Sequence, residues 1–225
     1  MKQDNKEISG ILPVFKPVGF SSYDIIRIFR KETGFKGKIG HGGALDPFAS
    51  GLLLILLGKE TKRFSEIGEM EKTYLAGIRL GAKSSTGDVE GNITNYSNKK
   101  VTVEEIKRTL NNFLGFSKQK IPDFSARKIN GQPAYKLVRA GKSVPVKYKN
   151  IEIKKIDLVS FKYPLLTVRL TVSGGTYVRQ ISEDIGNQLK CGAFLFFLNR
   201  EKIGNYSIEN AVSIDRLAEY KKFIF

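Results

Sequence analysis

The stretch GKIGHGGALDPFASGLLLILLG, Gly37 to Gly58, decides how this chain is read. Its second half, Leu52–Leu57, is a continuous apolar run of strand length, ended by Gly58. Its first half carries four glycines, Gly37, Gly40, Gly42 and Gly43, which give a flexible or tightly turned backbone. Asp46-Pro47 then sets a turn just before the strand. One carboxylate is thereby placed at the edge of a buried element. Taken alone, Asp46 also suits a turn-former bonding its own backbone. Neither GxxxxGK[ST] nor GxGxxG occurs, so a nucleotide phosphate cradle has no support.

On either side of this stretch the elements alternate. Gly10–Phe15 reads as a strand stopped by Lys16-Pro17, and Ser22–Thr33 as a helix with Ile25, Ile26, Ile28 and Phe29 on one face, closed by Gly34. Gly37 to Gly43 reads as a loop, Glu60–Ile67 as a short helix and Tyr74–Leu80 as a strand. Thr102 with Glu105 forms a capping box, and Val103, Ile106, Leu110, Phe113 and Leu114 stripe a helix running to Gly115. Two strands are expected at Ile151–Phe161 and Leu165–Ser173 around a turn at Tyr163-Pro164, the second with Leu166, Val168, Leu170 and Val172 on one side. Tyr177–Leu189 reads as a helix and Ala193–Leu198 as an apolar strand. The fold class is α/β of the α+β type, with several strands close enough in sequence to pair antiparallel.

Composition narrows the partners. The 225 residues are 41% hydrophobic and 27% charged, enough apolar material for a core. Thirty-eight Lys and Arg against 22 Asp and Glu leave a net charge of +16, which points first to nucleic acid. Eleven basic and two acidic residues fall between Lys118 and Lys155, interleaved with Phe124, Tyr135 and Tyr148, with Gly131 and Pro133 breaking regular structure. That pattern suits an insertion closing over a phosphate backbone and offering rings to unstacked bases. One cysteine, Cys191, excludes an intramolecular disulfide framework and reads as a buried apolar residue; one histidine, His41, argues against a zinc site. The N-terminal MKQDNKEISG lacks a signal-peptide core and no apolar run is long enough to cross a membrane, so no membrane partner and a cytoplasmic chain are expected.

Two further segments share the character of the first. SGGTYVRQISEDIG, Ser173 to Gly186, sets small residues between a strand and a helix, with Tyr177 and Arg179 near the helix start. An arginine beside a desolvated aspartate keeps the carboxylate ionised and oriented. KTYLAGIRLG, Lys72 to Gly81, puts Tyr74 at a strand start, where a ring can stack on a base.

Together FKPVGFSS, GHGGALDPFASGLL, EKTYLAGIRLG and SGGTYVRQISEDIG, followed by the Gly192 to Arg200 strand, resemble in order and spacing the motifs of TruB-type tRNA pseudouridine synthases, from about Gly10 to about Leu217. The resemblance implies a mainly antiparallel pseudouridine synthase sheet with flanking helices, and isomerisation of a T-arm loop uridine of tRNA (position 55) without cofactor or metal. It implies that Asp46 is the catalytic aspartate, His41 the histidine that helps displace the nucleotide, and Tyr74 the base-stacking tyrosine. Tyr177, Arg179 and Leu198 match active-site positions, Arg179 as the cation for Asp46 and Leu198 as pocket wall; Lys16 and Pro17 match a supporting motif. Gly42 stands where the family usually has Thr, and the chain leaves little room for the RNA-binding PUA domain that commonly follows. The expectation is one catalytic domain over 1–225, a basic clamp at about 118–150, and a monomer. Whether Asp46 attacks the ribose, adds to the pyrimidine or removes a sugar proton stays open at this level.

Overall fold

A computed structural model describes residues 8–225; most of the N-terminal segment read for a signal peptide lies outside the described residues. Along the chain come β1 (Gly10–Lys16), α1 (Ser22–Thr33), β2 (Ile39–His41), β3 (Ser50–Leu57) and a 3-10 segment, Gly58–Arg63, running into α2 (Phe64–Glu69). Next are β4 (Lys72–Leu80), β5 (Ala82–Ser84), β6 (Ile93–Asn95), α3 (Val103–Asn111), β7 (Gly115–Lys120), β8 (Lys128–Ile129), β9 (Gln132–Pro133) and α4 (Ala134–Arg139). The chain continues through β10 (Tyr148–Lys162), β11 (Leu165–Val172), α5 (Val178–Gln188), β12 (Ala193–Ile203) and β13 (Tyr206–Ser207) to a 3-10 helix at Ile214–Lys222.

It divides into two compact units. The first holds residues up to Leu75, Ser173–Gly175 and Leu198–Phe225; the second holds Ala76–Val172 and Thr176–Phe197. The chain passes from one unit to the other between Leu75 and Ala76, Val172 and Ser173, Gly175 and Thr176, and Phe197 and Leu198.

In the first unit β1 and β3 run antiparallel over their full length, from Gly10↔Leu57 to Lys16↔Gly51. Both faces of this pair are covered, which is why Leu52–Leu57 shows no alternation. Leu53, Ile55 and Leu57 pack with Leu12, Val14, Ile25 and Phe29 under α1 and the C-terminal 3-10 helix. Leu52, Leu54 and Leu56 pack on the other side with Ile11, Ile67 and Ile203. Ser21 closes α1 in a capping box with Asp24, and Gly34 ends it at φ 65, a left-handed conformation that costs glycine little. The glycine-rich segment is not wholly a loop: Ile39–His41 pairs with Leu57–Ile55 of β3. β12 joins the other edge of β3 in parallel, setting Arg200 opposite Gly51.

The second unit is built on β11, β10 and β7, paired antiparallel. Leu166, Val168, Leu170 and Val172 are all buried, as their alternation requires. α3 packs against β10 and touches α5. It ends at Asn111 rather than at Gly115, because Gly115, at φ 91, already begins β7, and Leu114 is exposed. The basic segment holds more regular structure than its Gly131 and Pro133 suggest. Asn130 (φ 49) and Gly131 (φ 82) form a tight turn between β8 and β9, and α4 follows directly.

Candidate active site

Asp46 sits between β2 and β3, and its neighbours' main-chain groups are held from three directions. The Leu45 N–H donates to the Ser22 hydroxyl at 2.8 Å, and that hydroxyl lies 3.3 Å from the Leu45 carbonyl. The Pro47 carbonyl accepts from Gly19 N–H at 2.8 Å and from Lys16 Nζ at 3.4 Å. Asp46 itself opens a turn, its carbonyl accepting from Ala49 N–H at 3.1 Å. The turn-forming and the functional readings of Asp46 are compatible, because a main-chain bond from Ala49 closes this turn. Lys16 is wholly buried, its ammonium satisfied further by the carbonyls of Pro17 at 2.9 Å and Phe20 at 2.6 Å. That arrangement ties the end of β1 to the Asp46-Pro47 turn.

Arg200 lies at the centre of this unit's polar interior. It is 2% exposed, and a charge so placed is tolerated only when its donors are used. Nε donates to the Leu52 carbonyl at 2.8 Å, Nη1 to Ala44 at 3.2 Å and Nη2 to Gly43 at 3.0 Å. Tyr74, 7% exposed on β4, brings its hydroxyl within hydrogen-bonding reach of the guanidinium, and Asp46 is within electrostatic reach. Burial pushes the guanidinium pKa down, while Tyr74 and Asp46 push it back up. A guanidinium stays charged even so.

His41 ends β2, half-buried, edge-on to Phe64 with ring centroids 6.5 Å apart. Its Nδ1 is buried without a hydrogen-bond partner. Burial first, and the charge of Arg200 second, hold the imidazole below its ordinary pKa, so it is neutral at physiological pH. Gly42 donates its N–H to the Leu54 carbonyl at 2.8 Å. A Cβ there would lie 2.5 Å from Ile67 Cγ2, so Ile67 fills the space a larger residue needs. Gly43 has φ +97, and its carbonyl is one of those bound by Arg200.

In the second unit Tyr177 caps the start of α5. The buried Gln119 side chain grips its main chain on both sides, Oε1 accepting from Tyr177 N–H at 2.8 Å and Nε2 donating to its carbonyl at 3.0 Å. Arg179 is 7% exposed and donates to the carbonyls of Thr86 at 3.0 Å and Phe124 at 2.9 Å. It also pairs with the buried Asp88 carboxylate at 3.3 Å, which in turn accepts from the Thr86 hydroxyl at 2.6 Å and Glu90 N–H at 3.0 Å. Leu198, on β12 in the first unit, is buried.

The structure thus gathers His41, Asp46 and Tyr74 around Arg200, and sets Tyr177 and Arg179 on a frame made by Gln119 and Asp88. Arg200, Gln119, Asp88 and Ser22 were not singled out by sequence reasoning. Arg200 had one signal: a cation closing an apolar strand is seldom buried unless it is bound. Among the described residues no group of three or more His, Cys, Asp or Glu could hold a metal, and no helix is long and apolar enough to cross a membrane.

Known proteins resemble this chain in sequence and in fold. The model of the TruB family pseudouridylate synthase N-terminal domain matches residues 29–178. The tRNA pseudouridine synthase B of Clostridium novyi is 40% identical over 210 residues, covering 93% of this chain and 72% of the relative. That of Nitratidesulfovibrio vulgaris is 43% identical over 210 residues, covering 92% and 67%. Among solved structures, a chain of a Cbf5-Nop10-Gar1 complex matches with a TM-score of 0.72 at 23% identity, over 95% of this chain and 55% of that one. A chain of an H/ACA RNP bound to a substrate RNA containing 2'-deoxyuridine matches with a TM-score of 0.70 at 22% identity, over 95% and 54%. These two likenesses concern the fold. With a family model spanning most of its length and relatives of this identity, the chain belongs to the TruB family of pseudouridylate synthases.

Proposed function

We propose that this chain is a tRNA pseudouridine synthase that isomerises the uridine at position 55 in the T-arm loop, acting in the cytoplasm as a monomer and without a metal or cofactor. The observation that carries the reading is the fixing of Asp46: Ser22, Gly19 and Lys16 hold the main chain on both sides of it, beside a buried Tyr74 and a buried guanidinium. Moving a glycosidic bond from nitrogen to C5 needs a carboxylate held in place more than it needs redox or Lewis-acid chemistry. Asp46 supplies that carboxylate. The T-arm site and the roles of individual residues are supported by the motif resemblance.

A uridine stacked in an RNA loop has to be turned out, at a cost of a few kcal/mol. A neutral His41 suits that step, since an uncharged ring takes the place of a base in a stack without a large desolvation cost. Tyr74 serves as the stacking platform for the flipped uracil and as a route for the C5 proton. Leu198 forms part of the pocket wall, Tyr177 contacts the substrate, and Arg179 is the cation for Asp46. The basic clamp at about 118–150 holds the phosphate backbone.

The test is to incubate the chain with an unmodified tRNA transcript and map pseudouridine by carbodiimide modification and primer extension. A stop at the T-arm uridine is expected. Product only at other uridines overturns the T-arm assignment, and free uracil in the supernatant overturns isomerisation in favour of base release.

A further inference from the structure

Arg200 has more to do than fill a place in the core. Three of its donors go to the carbonyls of Gly43, Ala44 and Leu52, so the guanidinium bridges the turn leading into Asp46 and the strand leaving it. Tyr74 reaches the same group through its hydroxyl. The main chain of Arg200 is as closely held as its side chain. It lies opposite Gly51 in parallel register, and Gly51 has φ +114. A Cβ on Gly51 would fall 2.4 Å from the Arg200 carbonyl oxygen and 2.5 Å from its nitrogen. The strand that carries the cation thus lies close against the strand that follows the aspartate, with no room for a side chain at Gly51.

We propose that Arg200 is a positioning residue for the reaction, fixing the Gly43–Asp46 main chain and the Tyr74 ring in one frame so that carboxylate and stacking ring keep a set separation when the nucleotide arrives. The inference rests on the functional reading given above, and it adds a residue that touches neither base nor sugar. Apolar groups or a water-filled gap would let the core close, but neither offers a planar set of donors aimed at three carbonyls and a phenol at once. A lysine keeps the charge but presents a single ammonium, which lacks the reach of the guanidinium fork.

The test compares the unsubstituted chain with Arg200→Lys, Tyr74→Phe and the double variant on a T-arm stem-loop, each checked for folding by circular dichroism. For Arg200→Lys, kcat should fall by about 100-fold, the scale of a misplacement of about 1 Å, while KM stays within about threefold. A role confined to stability would lower the folded fraction and leave kcat per folded molecule unchanged, which overturns the inference. Arg200→Lys should cost less when introduced into Tyr74→Phe than into the unsubstituted chain, because Tyr74 is one of the groups it positions; fully additive losses overturn the inference. Should Arg200→Lys not fold, Arg200→Gln, which keeps a planar donor group without the charge, takes its place: kcat down at least about tenfold at constant KM supports the inference, and an unchanged kcat per folded molecule overturns it. Absence of product from the unsubstituted chain would overturn the functional reading itself, and this inference with it.

Discussion

One buried cation is coupled to three neighbours. The Arg200 guanidinium disfavours a proton on His41, while Tyr74 and Asp46 favour the charge on the guanidinium itself. His41 is the one histidine of the chain, so its titration can be followed without ambiguity. Its pKa is lower folded than the ordinary value near 6.5, so below about pH 6.5 the unfolded chain binds more protons and stability falls as pH falls toward the folded value. Glu183 and Asp184 act the other way. Burial raises both carboxyls, so the stability they give at low pH is lost as pH climbs from their ordinary range. The imidazole resonance of the folded chain should titrate below about pH 6.5, and His41→Gln should remove the corresponding part of the pH dependence of urea unfolding; a midpoint above that value would contradict the account. At this scale Asp46, His41, Tyr74, Tyr177 and Arg179 stand out in the sequence because each lies in a short motif with unusual small residues around it. Arg200 and Gln119 were not, because their partners lie far along the chain: Leu52 is 148 residues from Arg200, and Tyr177 is 58 from Gln119.

The segment carrying Asp46 gives the sharpest lesson about elements. Four glycines between Gly37 and Gly43 suggest a free loop, yet three residues in that run pair with β3 and hold His41 in a strand. Gly42 looked like a lost hydroxyl when set against the family pattern. In the fold it is a packing position, with Ile67 occupying the space beside it. Gly42→Thr should therefore cost about 1–3 kcal/mol in urea denaturation and bring no gain in turnover, as expected of a small-to-large change in a filled site. A stabilised or faster variant would show that Ile67 gives way freely. The elements with a strong apolar signal, periodic in α1, α5 and β11 and a continuous run in β3, were readable to within a residue or two, as were β1 and β4. The short hairpins and α4 were missed, because two- or three-residue strands bury too little to leave a pattern, although Asn130-Gly131 is a turn signal that could have been used.

For the whole molecule the dominant quantity is charge. A surplus of +16 was visible in composition alone, and more than half of it falls between Lys118 and Lys155. That stretch spans β7, the β8–β9 hairpin, α4 and the start of β10, with Lys118, Lys128, Lys136, Arg139, Lys142 and Lys147 exposed. Neutralising three of these lysines should lower the log–log salt slope of tRNA binding by about 2–3, since each phosphate that a lysine neutralises adds roughly 0.7–0.9 to that slope. An unchanged slope would remove the segment as the clamp. What composition could not show is the division into two compact units, since that depends on which distant strands pair.

The most direct measurement is single-turnover pseudouridine formation in a T-arm stem-loop by the unsubstituted chain and by Asp46→Asn, with RNA affinity measured in parallel. The unsubstituted chain should form product, and Asp46→Asn should lose at least about 10²–10⁴-fold in rate while binding the RNA nearly as well. Undiminished turnover by a folded Asp46→Asn chain would contradict the account at its root.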